Sequence, residues 1–195
     1  MQANTSSPKT ITLDRFLVER QRKYPDASGK FTHFMTQIGT IGKIIASQMR
    51  HAALNDLTGS TGETNVQGES VKKLDIIGND AFIDALEYVD IVSMLVSEEM
   101  EEPRSLESNS SGLGYAVMVD PIDGSTNVDV NGIIGSIFSV HDIDEATRYS
   151  KDDALNRKGR EQVAAGYIMY GPSTILVYTA QDGVHSFVLN NEVGE

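Results

Sequence analysis

Four acidic residues follow two apolar segments of the sequence, near the points where those segments end. Glu98 and Glu99 come after the first segment, and Asp120 and Asp123 come after the second. The carboxyl ends of strands in open α/β sheets are where binding sites form, so we expect these side chains to share one edge. Four carboxylates in one place repel each other unless hard cations lie between them, and Mg²⁺ prefers such oxygen ligands. The pattern predicts a magnesium site, with a solvated acidic rim as the alternative for Glu98 and Glu99 taken alone.

The second acidic pair belongs to the segment Asp-Pro-Ile-Asp-Gly-Ser. Pro121 fixes its own φ and has no N–H group, so we expect it to end the strand and force a tight bend. Asp120, the Ile122 carbonyl and Asp123 can then face one point. This turn therefore predicts a metal cradle, and the alternative is an ordinary Asx turn.

The residues that follow the turn predict a phosphate site. Gly124, Ser125 and Thr126 are expected to open a helix or turn, where backbone N–H groups without partners can bind an anion. Together with Asp123, these residues are the predicted contacts of a substrate phosphate. We therefore expect the whole cluster to catalyse a metal-assisted reaction of a phosphate ester.

The elements that position these residues can be predicted from apolar spacing. Helical periods predict helices from Leu13 to Arg20, from Phe31 to about Leu54 and from about Lys72 to Val89. Apolar runs predict strands over residues 91–96, 115–119, 133–140, 163–170, 174–179 and 184–189. Helices followed by a many-stranded sheet indicate an α/β domain with α+β layers. Residues 55–70 are rich in Gly, Thr, Ser and Asn, which predicts a mobile lid.

Composition excludes several classes of function. The 195 residues include no cysteine, which rules out disulfides, zinc–thiolate sites and thiol nucleophiles. The 28 acidic residues outnumber 16 basic ones, and the net charge of −12 argues against a nucleic-acid partner. No apolar run approaches the roughly 20 residues of a membrane span, and the first residues do not resemble a signal peptide. We therefore expect no membrane partner and a cytoplasmic location.

The segment D-P-I-D-G-S is similar to the signature of the lithium-sensitive, magnesium-dependent phosphatases, which include inositol monophosphatases and fructose-1,6-bisphosphatases. Longer stretches resemble the class I fructose-1,6-bisphosphatase family in order and spacing across most of residues 10–195: STGETNVQGESVKKLDIIGND, LVSEE, DPIDGSTNVDVN, GSIFSV and VAAGYIMYGPSTILVYT. Inositol monophosphatases share only the short acidic elements. The resemblance implies the N-terminal αβ half of a five-layer αβαβα fold and a homotetramer.

The resemblance also implies roles for individual residues. The implied metal ligands are Glu69, Glu98, Asp120, the Ile122 carbonyl and Asp123. Many family members have Asp where this chain has Glu69, a change that keeps the charge and lengthens the reach. Asp75 and Glu99 are the implied activators of water, although Asp75 taken alone fits a first-turn acid that interacts with the helix dipole. The implied cofactor is Mg²⁺, two or three ions per subunit, with Mn²⁺ or Zn²⁺ as substitutes.

The implied reaction is hydrolysis of the 1-phosphate of fructose 1,6-bisphosphate to fructose 6-phosphate and phosphate, a step of gluconeogenesis. Three alternatives stay open. These are a sedoheptulose-1,7-bisphosphatase, an inositol-phosphate phosphatase, which VKKLDIIGND and the two long N-terminal helices disfavour, and a non-catalytic fragment that binds metal or oligomerises. In the family, one carboxylate of the innermost metal site and the sugar-binding residues lie in the C-terminal half.

The end of the chain bears on this last alternative. The strand predicted over residues 184–189 leads into Asn190 and Asn191, a turn signal, and the sequence stops at Glu195 without a returning strand. We therefore interpret residues 1–195 as one N-terminal metal-binding domain with the C-terminal domain absent. The isolated chain is expected to have little or no activity.

A degenerate nucleotide site is the last expectation. In AMP-inhibited members of the family, a Thr-Gly-Glu-x-Thr turn and a lysine hold the phosphate, and a tyrosine and an arginine hold the base and ribose. The matching residues in this chain are Ser28, Gly29, Lys30, Thr32 and Tyr115. Gly114 stands at the lysine position and Asp142 at the arginine position, which predicts weak or absent AMP inhibition.

Other charged residues are expected to lie outside the site. Lys72 and Lys73, at the start of the third predicted helix, are expected to be solvated. Asp129 is expected to lie outside the metal cradle. The histidines are scattered without metal-ligand spacing, so no histidine chemistry is predicted.

Overall fold

The computed structural model describes residues 10–52, 54–55, 57, 60–64, 70–106, 114–143, 156–180 and 183–195. Its α-helices are α1 (Leu13–Gln21), α2 (Lys30–Arg50) and α3 (Lys73–Leu86), and its 3-10 helices are Ser125–Val130 and Gly159–Glu161. None of the helices in these ranges combines the length and the hydropathy needed to cross a membrane. The three predicted helices are confirmed, although α2 ends before Leu54 and α3 before Val89.

The strands form one large sheet and one small hairpin. They are β1 (Ser60–Thr64), β2 (Ser70–Lys72), β3 (Val92–Ser97), β4 (Arg104–Ser105), β5 (Gly114–Asp123), β6 (Ile134–Ile143), β7 (Gln162–Tyr170), β8 (Thr174–Thr179) and β9 (Val184–Val188). The large sheet has seven strands in the order β4-β3-β5-β6-β7-β8-β9. Its β3 and β5 are parallel, and all its other neighbouring pairs are antiparallel. The predicted α/β class is therefore confirmed.

The helices pack on one face of the large sheet, because the apolar stripe of each helix meets the inward residues of the strands. On α2 the stripe includes Phe34, Ile38 and Ile45, all fully buried in the main core. Strand residues that alternate with the core-facing ones point to the opposite face, where Ile137 and Tyr167 are each 46% exposed. The core that supports the site thus lies between one helical layer and one sheet face.

One prediction about the segment between α2 and α3 is wrong. The segment predicted as a lid without secondary structure contains β1, which pairs antiparallel with β2. Its Ser and Thr residues fit a half-exposed strand as well as a loop, so composition alone did not distinguish the two. The predicted lid acid, Glu69, lies outside the described residues.

The strand predicted to stop at Asp120 continues to Asp123. Its register with β6 shifts between Asp120, which pairs with Ile137, and Asp123, which pairs with Gly135. Pro121 therefore lies in a bulge, one of the few places in a sheet that tolerate a residue without an N–H group. The proline bends the strand at the predicted position without ending it.

Helix α3 packs closely on this bulge through a glycine. A Cβ atom added to Gly78 would lie 2.6 Å from Cγ1 of Ile122 and 3.2 Å from Cβ of Pro121. Asp75 lies three residues earlier in α3, on the same helix face. The absence of a side chain at Gly78 therefore lets the start of α3 approach the Asp-Pro-Ile-Asp turn.

We expect Gly78→Ala to lower the free energy of unfolding by about 1–3 kcal/mol, the usual cost of overpacking a buried contact. The gain of up to about 1 kcal/mol from replacing a helical glycine is too small to cancel it. Urea unfolding of the chain tests this. Gly159→Ala is the control, because a Cβ there meets nothing within 4 Å. Equal stability of Gly78→Ala and the wild type would show that the close approach is not required.

Candidate active site

The two predicted acidic strand ends lie side by side. Because β3 and β5 are parallel neighbours, Ser97 aligns with Val119, and the next residues in each strand are Glu98 and Asp120. The Glu98 N–H donates to the Val119 carbonyl across 3.0 Å, so the hydrogen-bond ladder extends to the first acid. The structure confirms the predicted convergence of these two carboxylates.

Asp120 is the electrostatic centre of the site. Burial raises the pKa of its carboxyl to about 7, with further contributions from the charge of Glu98, a hydrogen bond with Glu98 and the charge of Asp123. The Ile122 N–H donates to Asp120 Oδ1 across 3.1 Å and acts in the opposite direction. Three carboxylates therefore interact at one place, and their mutual repulsion would be relieved by a proton or by a cation.

These carboxylates provide a donor set that fits Mg²⁺, which binds hard oxygen ligands. They are not a closed cage, since no group of three or more acidic or histidine side chains within the described ranges is already arranged as a metal site. Glu69, the predicted outer ligand, lies outside these ranges. The predicted ligand roles of Glu98, Asp120, the Ile122 carbonyl and Asp123 stay predictions.

The predicted phosphate-binding residues form the end of β5 and the start of the following 3-10 helix. Gly124 has φ 77°, a left-handed conformation that favours glycine, and directs the chain from the strand into the helix. The Asn127 N–H closes the first turn on the Gly124 carbonyl at 2.8 Å. The predicted helix or turn over Gly124, Ser125 and Thr126 is confirmed, and its role as a phosphate cradle stays a prediction.

The two predicted activators of water occupy different environments. Asp75 is 3% exposed, and its Oδ2 accepts a hydrogen bond from the Lys72 N–H across 2.7 Å at the start of α3. It therefore stabilises a helix terminus, as the alternative interpretation required. Glu99 follows β3 and is half-buried, and its N–H donates to the Ser97 hydroxyl oxygen across 3.3 Å. The structure does not test either residue's part in water activation.

The prediction that Lys72 is solvated is wrong. Its Nζ lies 2.8 Å from Oδ2 of Asp129, and its side chain is only 13% exposed. This ion pair joins the start of α3 to the 3-10 helix that follows the Asp-Pro-Ile-Asp turn. Asp129 is thus outside the carboxylate group but not independent of it. A contact between residues so distant in sequence leaves no local pattern.

Two residues under the turn were missed entirely. Ser136 Oγ donates to the Pro121 carbonyl across 2.6 Å, and it lies 2.9 Å from the Tyr170 hydroxyl. Ser136 is 0% exposed and Tyr170 is 2% exposed. The available signal was the alternation of β6, which places Ser136 on the same face as Ile134 and Phe138. A polar residue at a core-facing position needs a buried partner.

Three of the five predicted nucleotide residues line a separate cavity of about 270 Å³. Gly29, Thr32 and Tyr115 line it, whereas Ser28 and Lys30 are exposed at the turn before α2. The Thr32 hydroxyl already donates to Gln21 Oε1 across 2.8 Å.

The charges around this cavity are poorly suited to a nucleotide phosphate. Burial raises the pKa of Tyr115 to about 12, and the negative charge of Asp142 contributes. Arg20 lines the cavity, but its guanidinium lies 2.6 Å from His185 Nε2. Gly114 has φ 128°, so a lysine at that position would be strained.

We therefore expect the chain to bind AMP weakly and Asp142→Arg to bind it at least about 10-fold more tightly. A new charge-assisted hydrogen bond to a phosphate contributes about 1.5–3 kcal/mol. Titration calorimetry measures the AMP affinity of the wild type and of Asp142→Arg. The variant Asp142→Asn is the control, because it removes the negative charge without adding a positive one. Saturation of the wild type at low micromolar AMP would contradict the prediction.

Comparison with known proteins matches nearly the whole chain to one protein family. Residues 11–195 match the family model described as fructose-1-6-bisphosphatase, N-terminal domain. The class 1 fructose-1,6-bisphosphatase of Chlorobium phaeovibrioides is 41% identical over 189 residues, which cover 96% of this chain and 56% of the relative. The cytosolic fructose-1,6-bisphosphatase of Arabidopsis thaliana is 43% identical over 185 residues, which cover 95% of this chain and 54% of the relative.

Solved structures agree with the sequence matches. The holo form of Leishmania major fructose-1,6-bisphosphatase superposes with a TM-score of 0.86 at 34% identity, over 96% of this chain and 57% of that one. Its T-state structure superposes with a TM-score of 0.78 at the same 34% identity. The chain spans about half the length of the curated relatives it matches.

Proposed function

Because this chain belongs to the fructose-1,6-bisphosphatase family, we propose that the whole protein hydrolyses the 1-phosphate of fructose 1,6-bisphosphate to fructose 6-phosphate and phosphate. The observation that supports this proposal is the interaction of Glu98, Asp120 and Asp123 at adjacent strand ends, beside a turn that leads into a helix N-terminus. Carboxylates in this arrangement suit a divalent cation, and the adjoining backbone suits an anion.

The proposed ligands of Mg²⁺, two or three ions per subunit, are Glu69, Glu98, Asp120, the Ile122 carbonyl and Asp123. When bound, Mg²⁺ neutralises phosphate oxygens and lowers the pKa of a bound water. In this proposal Asp75 and Glu99 activate the attacking water together, and one of the two carboxylates accepts its proton as the general base. The backbone from Asp123 to Thr126 orients the phosphate that leaves the sugar.

The relatives reported above are all described as fructose-1,6-bisphosphatases, which favours this substrate over sedoheptulose 1,7-bisphosphate or an inositol phosphate. The proposal extends to a homotetramer that acts in gluconeogenesis. The Arabidopsis relative is described as cytosolic, which supports a cytoplasmic location. The alternative of a non-catalytic fragment applies to the 195 residues by themselves, because they cover only 56% of the Chlorobium relative.

We expect a protein that contains this chain and its C-terminal half to lose activity in excess chelator and to recover it with Mg²⁺. Asp120→Asn should lower kcat/KM by about 100-fold or more, since losing even a supporting partner of a metal ligand costs about 10–100-fold. Asp84→Asn is the control, because Asp84 is an exposed acid on α3. Asp129→Asn is unsuitable as a control, since Asp129 pairs with Lys72.

Phosphate release from fructose 1,6-bisphosphate measures these effects. Equal activity of Asp120→Asn and Asp84→Asn would remove the metal assignment. The 195-residue chain should release little phosphate under the same conditions, because the C-terminal half supplies a ligand and the sugar pocket in the family. Turnover comparable to that of the longer protein would contradict this part of the proposal.

A further inference from the structure

A buried chain of hydrogen bonds runs beneath the carboxylate site, across three strands. It begins at Tyr170 on β7, passes to Ser136 on β6 and ends at the Pro121 carbonyl on β5. The serine hydroxyl has a single proton, and the Pro121 carbonyl is only an acceptor, so Ser136 donates that proton to Pro121. Tyr170 must then donate to Ser136. The donor-to-acceptor direction of these hydrogen bonds is thereby fixed, from the tyrosine toward the turn.

The bulge explains why this series of hydrogen bonds exists. Between Asp120 and Asp123 the regular pairing of β5 with β6 is interrupted, so the Pro121 carbonyl lies outside the regular pairing. A buried carbonyl without a partner costs about 1–3 kcal/mol. Ser136, which lies between the β6 partners of Asp120 and Asp123, satisfies it with a short hydrogen bond of 2.6 Å.

The series of hydrogen bonds continues through the Pro121–Ile122 peptide group to a predicted metal ligand, Asp120. The Pro121 carbonyl and the Ile122 N–H belong to one peptide group, and that N–H donates to Asp120 Oδ1 across 3.1 Å. A hydrogen bond accepted by the carbonyl polarises the peptide and strengthens its N–H as a donor. Tyr170 and Ser136 therefore act on the Asp120 carboxylate without touching it.

We propose that Tyr170 and Ser136 are positioning residues of the carboxylate site, which hold the Pro121–Ile122 peptide and fix one oxygen of Asp120 through it. The same peptide precedes the Ile122 carbonyl, another predicted ligand, so its orientation sets two ligands together. We call the hydrogen bonds that lead from Tyr170 through Ser136 and the Pro121–Ile122 peptide to Asp120 the relay. The relay rests on these hydrogen bonds alone, and only its effect on a cation rests on the proposed function.

Removal of a single hydroxyl tests the proposal, and the chain offers a matched control. Tyr178 lies on β8 with 2% exposure, like Tyr170, but its hydroxyl has no hydrogen-bond partner in the described part of the chain. The variants are Tyr170→Phe, Ser136→Ala and the control Tyr178→Phe. Two properties are measured in a protein that contains this chain and its C-terminal half: Mg²⁺ affinity by calorimetry and the chemical shift of the Ile122 amide proton by NMR.

We expect Tyr170→Phe and Ser136→Ala to weaken Mg²⁺ binding by about 10-fold or more. We also expect both to move the Ile122 amide proton upfield, because its hydrogen bond to Asp120 weakens. The control should leave both properties unchanged. If the variants only lower the unfolding temperature, with the amide proton and the Mg²⁺ affinity unmoved, the two residues are structural and the proposal is overturned.

The two readouts separate this proposal from the proposed function. If the wild type binds no Mg²⁺ while the Ile122 amide proton still responds to Tyr170→Phe, the relay stands and the metal assignment fails. If the wild type binds Mg²⁺ and neither variant changes the affinity or the amide proton, the metal assignment stands and the relay fails.

Discussion

Repulsion between carboxylates at the ends of β3 and β5 is the constraint on which the rest of the site depends. The parallel pairing of these strands brings Glu98 beside Asp120, and the bulge directs Asp123 toward the same place. Burial, together with the charges of Glu98 and Asp123, raises the pKa of Asp120 to about 7, so its ionisation opposes folding as the pH rises from the ordinary pKa of an aspartate to 7. A compensating positive charge would relieve this repulsion at neutral pH, which is why we interpret the arrangement as a cation site.

Several contacts far apart in sequence hold the acids together against that repulsion. Gly78 lets α3 approach the bulge, the Lys72–Asp129 ion pair joins α3 to the 3-10 helix, and Ser136 supports the turn from below. Two of these contacts are buried inside the fold, so each is rigid and intolerant of change in volume or polarity. The chemistry of the site thus relies on a packed layer that contributes no ligand.

Local patterns in the sequence predicted the helices, the principal strands and the acidic turn, because each depends on spacing within a few residues. Apolar residues at helical period correctly predict which face of α2 is buried. The segment Asp-Pro-Ile-Asp-Gly-Ser correctly predicts a turn. The same reasoning failed at β1, whose polar residues resemble a loop, and at Pro121, where a bulge replaced the expected strand end. It also missed Lys72 with Asp129, because their pairing depends on tertiary packing across 57 residues.

Whether these carboxylates form a cation site is tested most directly by the unfolding temperature of a protein that contains this chain and its C-terminal half. It is measured at pH 8, where Asp120 is ionised, with increasing Mg²⁺ and with NaCl at matched ionic strength. A ligand that binds only the folded state raises this temperature saturably. We predict such a rise for the wild type. For Asp120→Asn we predict a higher unfolding temperature without Mg²⁺, because repulsion is relieved, and little further rise with it. If Mg²⁺ shifts both proteins equally, or neither, the carboxylates do not form a cation site.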